Sequence, residues 1–390
     1  MVCWVTRVSV HFTLDSSLIK KRITFNFSKV SLQLDLSESL FSSFAVDLGT
    51  KALLNSLRKN DAIDYSRILD LGCGYGPMGL FLKAQGPSRV VHMVDRDALA
   101  VAFASHNAEL NNLHVTVYPS LDYEQVEDKF SLIVTNFPAK TGTKGMEAFV
   151  YGASTHLASD GVLAIVVVRE LTAALEHVLD SPAIRILCRE YRKGHSIFHV
   201  AFTAAIRPFT RKYERHEMIL SLSRKYRVRT AVGLPEFDTL SFATRALFSL
   251  LKDIAGYSSV LVLEPGQGHG AVGVMDLLKP KGLVLVSRDL LSLRFAERNV
   301  RRNFHIKPLL KLVPYLENGL EQELIVWNIQ RKSDLALNTY NLKVLLKRTG
   351  PMLICGKAAL LHTLVRNEAV TVLKETSERN YLAKLLRPKG

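Results

Sequence analysis

Short, nearly unbroken apolar runs alternate along the chain with stretches of helical spacing. Val90–Val94, Leu132–Thr135 and Val162–Val168 are runs of the first kind. A strand covered on both faces needs no polar side, so such runs suit a parallel sheet sandwiched between helices. Ala98–Leu110 and Leu171–Leu179 carry apolar residues at three- and four-residue intervals, which predicts helices. Met1–Phe12 alternates as a strand does and lacks the charged-then-apolar layout of a leader peptide. No apolar run reaches the about 18 residues of a membrane span. The β-α alternation predicts an α/β fold of mostly parallel sheets with helices on both faces.

The pattern occurs twice. Arg67-Ile-Leu-Asp-Leu-Gly-Cys-Gly-Tyr-Gly76 has a second version in Val260-Leu-Val-Leu-Glu-Pro-Gly-Gln-Gly-His-Gly270, at an offset of 194 when the glycines are matched. Val94–Phe103 matches Val286–Phe295, and Leu132–Asn136 matches Leu324–Asn328, both at 192. Three matches in order at a near-constant offset predict a tandem duplication of one domain. The expected domains are 1–207 and 208–390, joined near Arg207-Pro208.

Composition changes this picture in one respect. With 48% hydrophobic and 22% charged residues, the chain can build real cores and is not a disordered polymer. Its net charge of +15 is unevenly placed: residues 1–200 hold 20 basic and 20 acidic side chains, and the remainder hold 31 and 16. A basic half attached to a neutral half predicts a polyanionic partner, nucleic acid above all. The four cysteines, Cys3, Cys73, Cys188 and Cys355, form no CxxC pair, so neither a zinc site nor a disulfide framework is expected. A reducing, cytoplasmic setting fits them.

Candidate chemistry gathers at strand ends. Gly72, Gly74, Gly76 and Gly79 lie between the strand Arg67–Asp70 and a helix over Gly79–Ala84. Glycines there permit a tight turn and close approach of a ligand to the backbone, and the helix N-terminus adds donors. The spacing also satisfies the dinucleotide fingerprint, but Asp70 directly before the loop would repel a pyrophosphate. Asp70-x-Gly72-x-Gly74-x-Gly76 resembles motif I of class I S-adenosylmethionine-dependent methyltransferases. The resemblance implies that Asp70 and the loop hold the methionine part of S-adenosylmethionine, and that Asp95, ending the next strand, holds the ribose hydroxyls. Asp97 is expected to cap the following helix.

Asn136-Phe137-Pro138-Ala139 follows the strand Leu132–Thr135. It resembles the Asn/Asp-Pro-Pro-aromatic motif IV of methyltransferases that act on exocyclic amines. Such an amine has its lone pair drawn into the ring, so hydrogen-bond acceptors that orient it supply much of the catalysis. The motif implies Asn136, Phe137 and Pro138 as the catalytic loop. Phe137 replaces its first Pro, and Ala139 replaces the aromatic that stacks on the base. Leu40-Phe41-Ser42 and Val46-Asp47-Leu48-Gly49-Thr50 resemble the approach segment of the small-subunit ribosomal RNA guanine-N2 methyltransferase family, and Gly194–Val200 resembles its last strand. That likeness implies that Phe41, Ser42 and Asp47 close over the cofactor. It also implies an RNA substrate, in free rRNA or a ribosomal subunit. Rival expectations are adenine N6, a protein amide or a small amine as acceptor, or a non-catalytic RNA-binding assembly factor. An NAD oxidoreductase lacks an evident acid-base His.

The second copy is expected to be degenerate. Glu264 is read as the counterpart of Asp70, Ser287 replaces Asp95, and Trp327-Asn328-Ile329-Gln330 lacks the counterpart of Pro138. Arg224, Lys225, Arg227 and Arg229 are its candidate RNA-binding residues, near Arg207, Arg211, Lys212 and Arg215 with Phe209, Tyr213 and Tyr226 among them. Arg294, Arg298, Arg301 and Arg302 fall on a predicted helix, as RNA contacts or as a solvated face.

Overall fold

The computed structural model describes residues 12, 14–60, 63–207, 213–329 and 334–389. Cys3, almost all of the strand-like start, Pro208 at the expected join, Phe209, Arg211, Lys212 and Gln330 lie outside the described residues. The chain divides into two compact units, Met1–Tyr213 and Glu214–Gly390. The first runs past the expected join because the buried Tyr213 donates its hydroxyl to Asp122 of the same unit.

In the first unit a short helical turn at Ser16–Leu18 precedes an antiparallel hairpin, β1 (Lys21–Phe27) and β2 (Val30–Leu36), followed by α1 (Leu48–Leu57). Then come β3 (Arg67–Leu71), α2 (Pro77–Gln85), β4 (Val90–Asp95), α3 (Ala98–Leu110), β5 (Thr116–Pro119) and β6 (Phe130–Asn136). The unit ends with α4 (Gly142–His156), β7 (Leu157–Val168), α5 (Thr172–Leu179), β8 (Ile184–Arg192) and β9 (His195–Phe202). Its seven-stranded sheet has the order β5-β4-β3-β6-β7-β9-β8. The pairs from β5 to β7 are parallel, and β9 joins β7 and β8 antiparallel.

The second unit repeats this element by element. A hairpin, β10 (Glu214–Ser221) and β11 (Lys225–Ala231), precedes α6 (Phe242–Leu251), β12 (Ser259–Leu263), α7 (His269–Leu277), β13 (Gly282–Ser287) and α8 (Leu290–Phe304). β14 (Leu309–Leu312), β15 (Leu324–Ile329), α9 (Leu335–Leu346), β16 (Met352–Lys357), α10 (Ala358–Val365), β17 (Val370–Glu378) and β18 (Tyr381–Pro388) complete it. The sheet order, β14-β13-β12-β15-β16-β18-β17, is the same. The expected duplication and α/β class therefore hold, and the duplication extends to hairpins that periodicity did not mark.

The pleat explains the apolar runs. Val260 and Val262 of β12 pack with α6, α7 and α8 on one face, while Leu261 and Leu263 pack with α9 and α10 on the other. Strand pairing also fixes the register of the repeat. Arg67 pairs with Val90 and Ser259 with Gly282, so both strands repeat at 192. Asp70 therefore corresponds to Val262, and Glu264 stands where Gly72 stands. Matching glycine to glycine misplaced that loop by two residues. Among the described residues no helix is long and apolar enough to cross a membrane, and no group of three or more His, Cys, Asp or Glu could hold a metal ion.

Candidate active site

β3 and β6 are neighbours at the centre of the first sheet, with β4 beside β3. The chain crosses outward from β3 in one direction and returns to β6 on the other side, so the carboxyl ends of these strands border the crevice where α/β sheets bind ligands. Gly72–Gly76 follows β3, Asp95 ends β4 and Asn136 ends β6. Three separate sequence signals thus converge on one edge.

Gly72, Gly74 and Gly76 have φ of +76°, +57° and +90°, a region that other residues enter only with strain. A Cβ at Gly72 or Gly74 would meet nothing within 4 Å, so the loop borders open space. The amides of Gly72 and Cys73 both donate to the Val94 carbonyl at 2.9 Å and tie the loop to β4. Asp70 projects into the face covered by helices and is wholly buried. Its Oδ2 accepts from the Gly79 amide at 2.8 Å, whereas buried Oδ1 has no partner. Gly79 must be glycine for this approach, because a Cβ there would lie 2.5 Å from Met93 Sδ. Loss of water raises the Asp70 carboxyl to about 7, with the Gly79 amide opposing and Asp95 adding.

Asp95 accepts from the Gly74 amide and from the Asp97 amide, each at 3.0 Å. Asp97 caps α3 through the Leu99 amide, as expected.

Asn136 donates from Nδ2 to Asp47 Oδ2 at 2.8 Å and to Thr50 Oγ1 at 3.3 Å. Both acceptors sit at the start of α1, where Asp47 is the N-cap and also accepts from the Gly49 and Thr50 amides. These bonds fix which end of the amide is which. Nδ2 faces the protein, and Oδ1 is left as an acceptor for something else. Asp47, expected at the cofactor, is thus bonded to Asn136. Thr50 lies in the same Val46–Thr50 segment, and nothing in the sequence marks it as a partner of Asn136. Phe137, expected in the catalytic loop, has its ring in the core, 5.2 Å edge-on from Phe149. Its amide donates to the Val166 carbonyl at 2.9 Å. Pro138 and Ala139 are exposed. Phe41 is exposed and Ser42 lies in the left-handed region at φ +59°.

Asn107 was missed altogether. Buried on α3, it exchanges bonds with the backbone of Asp35 on the hairpin and donates to the Tyr75 carbonyl in the glycine loop at 3.0 Å. Asn299 joins Arg229 to Gln267 in the same way in the second unit. The signal was available, since the two asparagines are 192 apart.

The second loop is built differently. Glu264, at φ +50°, accepts from Ser287 Oγ at 2.7 Å and the Arg288 amide at 3.0 Å. Burial raises its carboxyl, with Arg288 opposing. A protein carboxylate therefore engages Ser287 where the first unit offers Asp95. Asn328 still donates to Thr244 Oγ1 at 3.0 Å, but Ser241 stands where Asp47 stands.

Of the expected RNA-binding residues, Arg227 pairs with Glu217 and Arg229 with Glu214. Glu214 and Glu217 also hold Arg298 and Arg302, and Arg301 pairs with Glu297. Arg224 lies over the Tyr226 ring at 5.0 Å, and Lys225 is exposed.

Residues 32–185 match the methyltransferase small domain family. An uncharacterized Bacillus subtilis (strain 168) protein, YbxB, is 31% identical over 173 residues, which cover 42% of this chain and 85% of that one. The chain belongs to the methyltransferase small domain family. The ribosomal RNA small subunit methyltransferase C of Aeromonas hydrophila is 38% identical over 131 residues, 33% of this chain and 37% of that protein. The enzyme of the same name from Psychromonas ingrahamii is 30% identical over 155 residues, 39% and 44% of the two chains. The matched segments thus span less than half the length of these two methyltransferases. A solved T. thermophilus 16S rRNA N2 guanine methyltransferase, in complex with AdoMet and guanosine, aligns over 99% of this chain and all of its own, with a TM-score of 0.69. Its 15% identity makes this a likeness of fold, extending over both units.

Proposed function

We propose that the first unit is a methyltransferase that moves a methyl group from S-adenosylmethionine to an exocyclic amino nitrogen of RNA, guanine N2 of cytoplasmic ribosomal RNA. The observation that carries this is Asn136: its amide nitrogen is tied back by Asp47 and Thr50, so its oxygen is the group presented at the strand end. The glycine loop suits the cofactor on two further counts, the open space over Gly72 and Gly74 and the unpartnered Oδ1 of Asp70, fit for an ammonium group. When bound, S-adenosylmethionine supplies an electrophilic methyl whose sulfur leaves as a neutral thioether. Asp70 and the loop hold its methionine end, and Asp95 holds the ribose. Asn136 Oδ1 and the Phe137 backbone carbonyl accept the two amine hydrogens and orient the nitrogen lone pair. Positioning supplies the rate: attack leaves the nitrogen cationic and strongly acidic, so its proton passes to water and no strong general base is needed. Phe137 contributes through its backbone, and Asp47 acts by holding Asn136. The ribosomal character of the RNA is supported by the two curated relatives and the guanosine-bound fold neighbour. The second unit lacks an acid at the Asp70 and Asp95 positions and serves RNA binding.

The test measures cofactor affinity by calorimetry and methyl transfer from labelled cofactor to ribosomal RNA, free and in subunits. Asp95→Ala should weaken cofactor binding at least about tenfold, roughly 1.4 kcal/mol, and Ser287→Ala should leave it unchanged. Asn136→Ala should abolish transfer with cofactor affinity nearly intact. Asp47→Asn should lower kcat with little change in cofactor affinity. Retained turnover in Asn136→Ala would remove that residue from the mechanism.

A further inference from the structure

A nucleobase that loses its place in a helix needs an apolar face to stack on, and the acceptor loop offers none. Ala139 stands at the aromatic position, and the Phe137 ring is directed into the core. The exposed apolar surface lies elsewhere. Among the described residues the three most exposed large hydrophobic side chains are Phe41 at 75%, Leu48 at 69% and Phe44 at 67%, all within eight positions. Single exposed apolar residues are ordinary, but a cluster beside a functional site marks a contact surface.

This segment is pinned across the candidate site. Tyr75 of the glycine loop donates its hydroxyl to the Ala45 carbonyl at 3.4 Å, Val46 is buried, and Asp47 accepts from Asn136. Phe44 therefore sits one residue from the tether to the glycine loop and three from the tether to Asn136. Lys20 Nζ lies over the Phe44 ring, 3.8 Å from its centre, and Lys21 Nζ 5.5 Å from it, so a base that stacks on the face Lys20 covers displaces that ammonium toward its own phosphate. The duplication supplies a control. Asp47 and Ser241 are equivalent N-caps 194 positions apart, and Ser42 and Glu236, also 194 apart, share φ near +60°. On that register Phe41 and Phe44 correspond to Pro235 and Asp238, so the second unit, which lacks the acidic pair, keeps in this segment only Phe237, at 36% exposure, in place of two far more exposed rings.

We infer that Phe41 and Phe44 replace the missing motif aromatic and form the platform on which the acceptor base stacks beside Asn136, with Lys20 and Lys21 meeting the adjoining phosphates. This rests on the reading of the first unit as a nucleobase amine methyltransferase, and it moves Phe41 from the cofactor to the acceptor. Stacking on an aromatic ring is favourable and tolerant of sequence, enough to set an acceptor KM.

Two measurements on the full chain test it. Phe44→Leu and Phe41→Leu keep apolar bulk and remove the ring. Each should raise the KM for RNA about tenfold and leave the cofactor Kd within about twofold, and Phe44→Tyr should restore the KM. Unchanged kinetics in both leucine variants would overturn the inference, as would a tenfold loss of cofactor affinity with the RNA KM unmoved. Independently of turnover, Phe44→Trp should show emission quenched by guanosine 5′-monophosphate in the presence of S-adenosylhomocysteine, with Asn136→Ala weakening the effect. Quenching without methyl transfer would keep the platform and overturn the proposed activity. Normal turnover without quenching, and without effect of the leucine changes, would keep the activity and overturn the platform.

Discussion

At the scale of single residues, the telling comparison is Asp70 against Val262. Both occupy the same inward-facing strand position, and in the second unit an apolar side chain simply joins the core. In the first unit a carboxyl group is buried there, held by one amide and raised to about 7 chiefly by loss of water. Stability alone would not select it, since burying a charge is costly without full pairing. Its folded value lies above its ordinary 3.8, so the folded chain retains a proton between about pH 4 and pH 7 that the unfolded chain has lost. Stability from this group should therefore be greatest toward pH 4 and decline as pH rises through about 7. A cationic ligand group beside Oδ1 favours the charged form, so cofactor affinity should increase from about pH 6 to pH 8. Asp70→Asn should flatten both trends, read by thermal melts and calorimetry across that range. A wild-type cofactor affinity as flat as that of the variant would separate Asp70 from the ligand.

At the scale of elements, legibility followed burial. The runs around β3, β4, β6 and β7 could be read because strands covered on both faces are apolar throughout, and α3 was bounded at Ala98 and Leu110 by its cap and spacing. The hairpins were not marked. Ile23, Phe25 and Phe27 do alternate in β1, but polar Lys21, Arg22, Thr24 and Asn26 intervene, and half-exposed strands give a weaker signal than buried ones. The glycine register failed for another reason: glycines were matched by type, whereas the pleat matches strand positions. Asp47 and Asn136 were both legible as candidates, but not as partners, because their bond spans 89 residues. Asn107 escaped because it binds only backbone, a role that any polar residue on a helix can conceal. Its removal should be expensive. Asn107→Ala strands the Asp35 amide and the Asp35 and Tyr75 carbonyls, and should lower stability by about 2–4 kcal/mol while loosening the glycine loop and weakening cofactor binding. Asn299→Ala should destabilise the second unit to a similar degree with cofactor affinity unchanged. Denaturant titration beside calorimetry separates the two effects, and loss of cofactor affinity in Asn299→Ala would contradict the assignment of the cofactor to the first unit.

At the scale of the whole molecule, the charge count and the charge arrangement say different things. The excess of basic residues in the second half is real, but much of the stretch that suggested an RNA surface is answered locally. Glu214 holds Arg229 and Arg298, and Glu217 holds Arg227 and Arg302, so β10 neutralises both β11 and α8. Exposed ion pairs of this kind contribute little stability, yet a guanidinium already paired gives less to a phosphate than an unpaired one. Arg224, stacked over Tyr226 and donating to the Asn303 carbonyl at 3.3 Å, feels the Asp276 carboxylate only at a distance and forms no ion pair, and Lys225 has no carboxylate partner among the described residues. The four candidates should therefore divide. Arg224→Ala and Lys225→Ala should each reduce the slope of log K against log salt for RNA binding by about 0.7–0.9. Arg227→Ala and Arg229→Ala should reduce it by less, because each removes a cation that a glutamate had already partly neutralised, and that glutamate keeps its second arginine. kcat at saturating RNA should change little in all four, since none belongs to the unit that carries Asn136. Equal slopes across the four variants would mean that RNA draws Arg227 and Arg229 away from Glu217 and Glu214. Four unchanged slopes would mean that the basic excess of the second half meets its polyanion on another face.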